Sequence, residues 1–466
     1  MKWDELHNVI KELERIPLMT YSEWCLEIAA RATPGPWHIG HMSESTDRAD
    51  IDGPDCINIA DDVQQNDVDF LIASRQMVPE LARRLQMACQ ELRSLRDFEL
   101  IRNQHLLDKF VDELESMLGG SGMQKHVLIC YKNFSKDCSV SHIGLGVTAA
   151  YTAKTLRSNG YFAEAKPIFG ADDLTTFILS QQSGSRPVTH VVICAQWIAT
   201  KSLAQMVRQF PEIIFALNCH SNVGFLQAEP PAIDLVRQAI DLETGVGNFH
   251  ASSNSLRLCS ALQNMYGRPI TFLPNLYWLH GQEPIHRPPW NGGTLKIGAF
   301  GSLRVYKNFS TAVAAAIELT NMLKCHSEIW INSGRDDGAG NIVYQTALSW
   351  TRGLPNVVLK EFHWASWPDF KRMIGSMNIL FQPSYTETFN NVTADGVAEG
   401  VPSVVSDAID WVPKTWIAES DDCTEVASIA RQILFDPRAP LEGYQALKNY
   451  VAKGLPYWKE FISRGE

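Results

Sequence analysis

The sequence predicts an α/β protein built from two doubly wound parallel sheets, preceded by a mainly helical N-terminal module. Short apolar runs alternate with amphipathic helical stretches from residue 126 onward, which is typical of parallel sheets covered by helices. A Pro- and Gly-rich stretch at residues 281–293, GQEPIHRPPWNGG, divides this alternation into two series. Acidic residues are in excess only in residues 1–122. Two Rossmann-like domains and one accessory module are therefore expected.

Residues 1–122 differ in kind from the rest of the chain. They carry 23 Asp and Glu against 12 Lys and Arg, whereas the remainder carries 29 of each. Helices are predicted at about 3–16, 20–31 and within 66–117, around a turn-rich stretch at 32–55. The last of these has apolar residues three and four apart, which predicts a long helix through which a homo-oligomer could form. The sequence GGSGMQK at 119–125 predicts a flexible linker.

The two series of strands define the expected domains. Strands are predicted at 126–131, 162–168, 189–195, 213–219 and 270–274, and then at LKIGAF, SEIWINS, NVVLKEF, NILFQP and PSVVSD. We expect a first Rossmann-like domain at 126–285, a second at 292–445, and a helix at 446–466 that packs back toward the first. Ligands of such sheets bind at the carboxyl ends of the strands.

Composition excludes several classes of protein. No run approaches the ~18 apolar residues of a membrane-spanning helix, and the first residues predict a charged amphipathic helix rather than a signal peptide. A cytoplasmic protein is therefore expected. The ten cysteines form no C-x-x-C pair, which predicts buried free thiols, and the thirteen histidines show no metal-binding spacing. The neutral charge of residues 123–466 neither requires nor excludes a polyanionic acceptor.

The most informative motif is SYTETFNNVTADGVAEGVPSVVSDA, residues 384–408. Glu387 lies in a loop after a predicted strand, the amides of Phe389, Asn390 and Asn391 lie where a helix begins, and Asp395 lies inside that helix. A helix N-terminus offers unpaired N–H groups to diphosphate or sugar oxygens. Carboxylates accept strong hydrogen bonds from hydroxyl groups. The alternative is an amphipathic helix with two incidental acids.

This motif resembles glycosyltransferase family 4 and its relatives of the GT-B fold. The match is Glu387, seven residues, Asp395, and then Glu-Gly-Val-Pro at 399–402. The resemblance implies a nucleotide-sugar donor, most simply a UDP-sugar such as UDP-glucose, and retention of anomeric configuration. It also implies that Glu387 contacts the donor hexose and that Asp395 holds the ribose. Asp395 stands where the family has Glu, which shortens this arm by one methylene.

A second motif, IGAFGSLRVYKNF at residues 297–309, is similar to the family's G-R-L-x-x-x-K stretch. Gly301 ends a predicted strand, and Lys307 lies four residues beyond the leucine. Ser302 occupies the arginine position of the family, and Arg304 could replace the lost charge. Cations here would stabilise a leaving diphosphate. The alternative is a solvated lysine in an ordinary loop.

The acceptor half carries weaker signals. Gly144 and Gly146 resemble the family's glycine-rich loop, although a tight turn without a ligand explains them too. His220, in NCHSNVGF, matches a histidine that reaches the donor sugar or the acceptor, but a structural histidine is the competing interpretation. HASSNS at 250–255 and NVVLKEFHW at 356–364 also resemble family landmarks, and the latter lies where the nucleobase is held.

We therefore predict a metal-independent hexosyltransferase without a bound cofactor. The predicted catalytic residues are Lys307, Glu387 and His220, and the predicted donor-binding residues are Gly301, Ser302, Arg304, Phe389, Asn390, Asn391, Asp395, Gly144 and Gly146. The alternatives are a degenerate, non-catalytic nucleotide-sugar-binding protein, and a GT-B epimerase or phosphorylase-like enzyme.

The acceptor prediction starts from the N-terminal module, because ATPGPW followed by DVDFLIASRQMVPELARRL is similar to modules of phage and prophage proteins. This predicts a phage-encoded enzyme of the host cytoplasm whose acceptor is a 5-hydroxymethylpyrimidine in phage DNA. Basic residues would be needed around the acceptor cleft, and the candidates are Lys132, Lys136, Lys154 and Arg157. The alternative acceptors are an envelope glycolipid or a small molecule.

Overall fold

The computed structural model describes residues 38–42, 48–52, 58–64, 125–132, 144–182, 187–279, 283–333, 340–363 and 365–464. The chain divides into two compact units, residues 1–123 and 124–466. Each unit is described by itself.

The described part of the first unit is a three-stranded antiparallel sheet in the order β1-β2-β3. Its strands are β1 (His38–Met42), β2 (Arg48–Asp52) and β3 (Asn58–Gln64). The turn-rich stretch predicted at 32–55 has to be corrected, because strands β1 and β2 lie in it. Six of the twelve Ser, Asp, Gly and Pro residues that predicted turns there lie between the strands, at 43–47 and 53–57. The helices predicted at 3–16, 20–31 and within 66–117 lie outside the described residues.

The first half of the second unit contains a six-stranded parallel sheet in the order β5-β4-β6-β7-β8-β9. Its strands are β4 (His126–Lys132), β5 (Phe162–Ile168), β6 (His190–Cys194), β7 (Ile214–Cys219), β8 (Phe249–Ser253) and β9 (Thr271–Phe272). Its helices are α1 (Gly144–Arg157), α2 (Ala171–Gln182), α3 (Thr200–Gln209), α4 (Val223–Leu226), α5 (Pro230–Glu243) and α6 (Leu256–Tyr266). The strand order reverses between β4 and β6.

The second half contains another six-stranded parallel sheet, in the order β12-β11-β10-β13-β14-β15. Its strands are β10 (Leu295–Ala299), β11 (Ser327–Ser333), β12 (Val357–His363), β13 (Ile379–Gln382), β14 (Ser403–Ser406) and β15 (Ile417–Ala418). Its helices are α7 (Phe309–Leu323), α8 (Gly340–Thr351), α9 (Trp367–Gly375), α10 (Asn391–Ala398) and α11 (Cys423–Phe435). The strand order reverses between β10 and β13, which is where ligands of such sheets bind.

The last helix, α12 (Ala439–Ser463), connects the two halves. Near its start Gly443 packs against the ring of Trp416 in the second half. Near its end Trp458, Phe461 and Ile462 belong to the apolar core between the first sheet and α1. The indole nitrogen of Trp458 also donates a hydrogen bond of 2.8 Å to the carbonyl of Pro274. The helix thus packs against both halves.

The cysteines of the described ranges are free thiols. Cys130, Cys194, Cys219 and Cys259 are buried in the first half, as the apolar surroundings of these residues in the sequence predict. Burial raises the pKa of the Cys194, Cys219 and Cys259 thiols to about 12, so they are uncharged. Within the described part of the chain, no helix combines the length and apolar character required to cross a bilayer.

Candidate active site

A cleft of about 550 Å³ lies between the two halves of the second unit. Its walls include the segments that follow β4, β6 and β7 in the first half, and those that follow β10, β12 and β13 in the second. The cleft therefore lies at the carboxyl ends of both sheets, beside both reversals of strand order. This is the position expected for a ligand site in such a fold.

Lys307 and Glu387 form an ion pair in this cleft. The loop after β10 places Lys307 at the end of a short 3-10 helix, and the loop after β13 places Glu387 opposite to it. Gly301, at the start of the first loop, has φ of +131°, a conformation that L side chains rarely adopt. The side chains of Lys307 and Glu387 are 21% and 11% exposed. Two separate loops thus bring opposite charges together at the reversal of strand order.

Asparagines in the left-handed conformation hold both loops. Asn308, with φ of 56°, donates from its amide nitrogen to the carbonyls of Pro383 and Ser420 at 3.0 and 2.6 Å. Asn390, with φ of 65°, caps α10 because its side-chain oxygen accepts a 2.8 Å hydrogen bond from the amide of Thr393. The amide nitrogen of Asn390 lies 3.1 Å from the Glu387 carboxylate. The start of α10 and the Glu387 side chain are therefore fixed by one residue.

Asn391 and Phe389, the other predicted residues at this helix N-terminus, contact different parts of the structure. Asn391 reaches across the cleft, where its amide nitrogen donates to the carbonyl of Gly144 at 3.0 Å and to the Thr148 hydroxyl at 3.1 Å. The Phe389 side chain is 2% exposed and packs against Trp411. The helix begins at Asn391, where the sequence predicted it. Phe389 can therefore offer a ligand its main-chain amide but not its ring.

The two predicted glycines of the first half differ in their surroundings. Gly144 lies in the cleft wall at the start of α1, and a Cβ there would lie 3.1 Å from the amide nitrogen of Asn391. Gly146 is not among the residues that line the cleft, and its role as a donor-binding residue stays a prediction. A Cβ at Gly146 would lie 3.0 Å from the ring of Tyr131. The absence of a side chain at Gly146 serves the packing of α1 on β4.

His220 follows β7 and lies in the cleft wall. Its ring nitrogens lie 3.4 Å from the amide nitrogen of Asn218 and 3.3 Å from that of Asn254. Burial lowers the pKa of His220 to about 4, so the ring is neutral near pH 7. A neutral imidazole in this position can donate or accept a hydrogen bond but cannot supply charge.

Ser302 and Arg304 both line the cleft, as the sequence predicted for the loop after β10. The Arg304 guanidinium lies 5.0 Å from the ring centroid of Phe225, a residue of α4 in the first half. A cation over an aromatic face is attracted by the ring quadrupole. Arg304 therefore connects the loop after β10 with the opposite wall.

Asp395 is 2% exposed, and both of its carboxylate oxygens accept hydrogen bonds from the protein. Tyr277 donates to one oxygen at 2.7 Å, and the indole of Trp367 donates to the other at 3.2 Å. Burial raises the pKa of this carboxyl from 3.8 to about 6, against the opposing effects of Lys371 and of these hydrogen bonds. Asp395 borders the cleft, and its role as a ribose ligand stays a prediction.

The sequence did not single out several further residues of the cleft wall. The described wall also contains Gln196, Trp197, Ser221, Phe225 and Glu229 from the first half, and Asn332, Ala365, Trp367 and Phe370 from the second. Trp367 and Phe370 follow soon after the stretch predicted to hold the nucleobase. Most of these residues closely follow a predicted strand. Their position in the sequence was therefore the signal that could have identified them as cleft residues.

The basic residues predicted around the acceptor cleft are only partly in place. Lys132 lines the cleft, whereas Lys136 lies outside the described residues. Lys154 is 6% exposed with its ammonium 4.7 Å from the ring centroid of Trp278, and Arg157 is 4% exposed and donates to the carbonyl of Ala163 at 2.7 Å. The prediction that Lys154 and Arg157 face a nucleic acid is therefore wrong, because both side chains are used inside the fold.

Among the residues that the structure describes, no group of three or more His, Cys, Asp and Glu side chains is arranged to hold a metal ion.

The titration of Asp395 leads to a testable pH dependence. The folded state holds a proton near pH 5 that the unfolded chain has lost, so this carboxyl stabilises the fold at low pH, and the stabilisation is lost as the pH rises through about 6. The substitution Asp395→Asn removes the titration. The free energy of unfolding of the wild type relative to this variant should fall by about 2–3 kcal/mol between pH 4 and pH 8. Urea unfolding at five pH values measures it, and a difference independent of pH would contradict the assignment.

No family model and no curated protein matches this sequence. Similarity is found in solved structures. Sucrose-phosphate synthase from Thermosynechococcus elongatus matches with a TM-score of 0.50 and 12% identity over 72% of this chain and 96% of that chain. Anabaena HepE, solved with UDP and glucose, matches with a TM-score of 0.47 and 13% identity over 72% of this chain and 97% of that chain.

S. aureus TarM, solved in a complex that includes UDP, matches with a TM-score of 0.45 and 11% identity over 59% of this chain and 55% of that chain. This chain thus spans about half the length of TarM. The similarity to sucrose-phosphate synthase, together with the two parallel six-stranded sheets, shows a two-domain α/β fold of the GT-B type.

Proposed function

We propose that this protein is a glycosyltransferase that moves a sugar from a nucleotide-sugar donor to an acceptor hydroxyl group. One observation carries the proposal. Lys307, Glu387 and the N-terminus of α10 meet at the reversal of strand order in the second sheet, inside the cleft between the halves. A cation, a carboxylate and a helix N-terminus at one point suit a sugar diphosphate, which presents negative charge beside hydroxyl groups.

The leaving group of such a transfer is a nucleoside diphosphate, on which negative charge increases as the glycosidic bond breaks. Lys307, and Arg304 beside it, would stabilise this charge where they are partly withdrawn from water. Lys307 is already paired with Glu387, so donor binding must redistribute that interaction. In this proposal the diphosphate takes Lys307 as its partner, and Glu387 turns to accept hydrogen bonds from the sugar hydroxyls.

The nucleoside would lie against the second half, where Trp367, Phe370 and Asn332 line the cleft. Aromatic rings provide a stacking surface for a base. The Asn332 side chain also orients the loop after β10, because its oxygen accepts a 2.8 Å hydrogen bond from the amide of Gly301. A UDP-sugar with Asp395 at the ribose is the donor implied by the family resemblance. We propose retention of configuration on the same ground.

His220 would contact the donor sugar or the acceptor as a neutral hydrogen-bonding group. Glu229 is the carboxylate of the first half that lies in the described cleft wall. An inverting reaction would draw its base from this half. The anomeric configuration of the product, determined by NMR, distinguishes a retaining from an inverting reaction.

The non-catalytic alternative is a GT-B protein that only binds a nucleotide sugar. The observation in its favour is that protein donors occupy both oxygens of Asp395. Release of nucleoside diphosphate from a panel of nucleotide sugars decides between the two. A donor should also raise the melting temperature, because it binds the folded state.

Substitutions at Lys307 and Glu387 should separate binding from turnover. Lys307→Ala and Glu387→Ala should each raise the barrier to transfer by about 2–4 kcal/mol, the cost of one preorganised electrostatic contact. Lys307→Ala should also weaken binding of the nucleoside diphosphate. Glu387→Ala should not, because it leaves the cation without a competing carboxylate. Steady-state kinetics and calorimetric titration measure the two effects.

Lys414→Ala provides the matched control for these variants, because Lys414 is an exposed lysine that also lies in a 3-10 helix of the same half. It should keep wild-type kinetics. Near-wild-type turnover by either active-site variant would overturn the donor-site assignment.

Activity should survive chelation of divalent cations. Two cationic side chains stand in the cleft where a metal ion would otherwise neutralise the diphosphate. Transfer assayed in excess EDTA should remain within about twofold of the untreated rate. Abolition by EDTA with recovery on adding Mn²⁺ or Mg²⁺ would contradict the mechanism while leaving the transferase activity in place.

The acceptor hypothesis remains a 5-hydroxymethylpyrimidine in phage DNA, with a glycolipid or small molecule as alternatives. A base in a duplex has to be flipped out and stacked in the enzyme, and Trp197 and Phe225 give the acceptor wall two aromatic rings for this. Of the predicted cations, Lys132 is at the cleft. Incubation with hydroxymethylated and unmodified DNA and a panel of nucleotide sugars, followed by nucleoside mass analysis, should show a hexose on the modified base alone. Labelling of a lipid or glycoside instead would reject the DNA acceptor.

A further inference from the structure

Asn222 has a side chain in an unusual role. It is the residue immediately before α4, where an asparagine side chain ordinarily caps the helix, yet it makes no capping hydrogen bond here. Its amide nitrogen instead donates across the cleft to the main-chain carbonyl of Glu387. Its side-chain oxygen accepts a 2.5 Å hydrogen bond from the Ser255 hydroxyl. The first half therefore holds the backbone of a residue that we place in the donor site.

A second asparagine holds the next residue of the same loop. Asn254, which is 1% exposed, donates to the Thr388 hydroxyl at 3.0 Å and to the side-chain oxygen of Asn275, also at 3.0 Å. Asn254 and Ser255 lie in HASSNS, and Asn222 lies in NCHSNVGF. The two motifs of the first half thus converge on consecutive residues of the second half.

We infer that Asn222 and Asn254 are positioning residues, which orient the Glu387 loop for transfer when the two halves meet. The inference rests on the proposed function, because it assigns these residues to the same reaction. Lys307 and Asn390 restrain the Glu387 carboxylate from within its own half. Asn222 restrains its peptide plane from the opposite half.

A hydrogen bond between the halves can orient a residue of the proposed donor site. A main-chain carbonyl accepts its hydrogen bond in a defined direction, so Asn222 fixes the orientation of the peptide that follows Glu387. A reacting group that is misplaced by ~1 Å can lose about 100-fold in rate. Because the partners belong to the first half, the correct orientation exists only when the cleft is closed. Closure and assembly of the donor site are thereby linked.

Asn222→Ala removes the cross-cleft donor, and Thr388→Val removes the acceptor of Asn254 with little change of shape. Arg257→Ala is the matched control. The exposed Arg257 side chain also bridges the halves, because it donates a 2.6 Å hydrogen bond to the carbonyl of Asp407, and its partners Asp407 and Asp410 lie outside the Glu387 loop. All variants and the wild type are compared by hydrogen exchange of peptides that cover residues 384–391, and by transfer kinetics.

We expect faster exchange at 384–391 in Asn222→Ala and Thr388→Val than in Arg257→Ala or the wild type. The kcat of both variants should fall by roughly 10- to 100-fold, with KM for the donor within about threefold. The double variant should lose less than the product of the two single losses, because both act on one loop. Thr388→Val keeps the test decisive if Asn222→Ala does not fold.

Unchanged exchange of the loop in Thr388→Val and in a folded Asn222→Ala would overturn the inference, as would losses in Arg257→Ala equal to those of both variants. A higher KM with unchanged kcat would make these residues donor-binding groups and would overturn it too. The exchange measurement needs no turnover. A wild type without transfer activity would therefore refute the proposed function, and the positioning role would still be decided by exchange.

Discussion

The ion pair between Lys307 and Glu387 is the interaction on which the arrangement of the cleft depends. Each charge is partly removed from water, and an unpaired charge in such a place costs more than the pair itself contributes. The two loops must therefore be held so that the charges meet. Asn308 and Asn390 achieve this with left-handed backbones, which asparagine adopts more readily than most residues. The site is built by backbone geometry as much as by its charged groups.

Several hydrogen bonds join the two halves around this pair, beside aromatic contacts such as that between Tyr151 and Trp367. Asn391, Asn222 and Asn254 each make hydrogen bonds between the halves near Glu387, and Tyr277 joins Asp395. The net contribution of such a bond is only about 0.5–1.5 kcal/mol, because water replaces the lost partner when the groups separate. The halves can therefore give up each of these hydrogen bonds at modest cost. The apolar packing of α12 in both halves is the feature that would keep them connected.

The sequence was sufficient to predict those strands and helices whose residues carry a recognisable pattern within the element itself. Continuous apolar runs such as HVLICY and HVVIC are what a strand buried on both faces requires. Strand β8 was missed as a strand because FHASS is rich in small polar residues. Ser252 and Ser253 are buried there by donating to the carbonyls of Leu217 and Cys219 on the adjacent strand. A hydrogen bond to a neighbouring strand leaves no trace in the periodicity of a single sequence.

The candidate site likewise contains residues that a short stretch of sequence identifies and others that depend on contacts between distant residues. Lys307, Glu387 and Asn390 were identifiable because each follows a strand and belongs to a compact motif. The partners of Asp395 were not, because Tyr277 and Trp367 lie 118 and 28 residues away and meet it only after both halves fold. Lys154 and Arg157 were misjudged for the same reason, since a helix buried on nearly every side cannot be distinguished by spacing alone.

The charges of the cleft also suggest how the donor could influence the acceptor wall. Arg304 belongs to the donor loop, but its guanidinium rests on Phe225 in the opposite half. A diphosphate bound beside Lys307 would attract Arg304 as well, and the strength of that attraction exceeds the ~0.5–2 kcal/mol of a cation–π contact where water is excluded. Movement of Arg304 toward the diphosphate would uncover the face of Phe225. Phe225 lines the same cleft as Trp197 and His220, so in the proposed reaction its ring would be free to stack on an acceptor once the donor has bound.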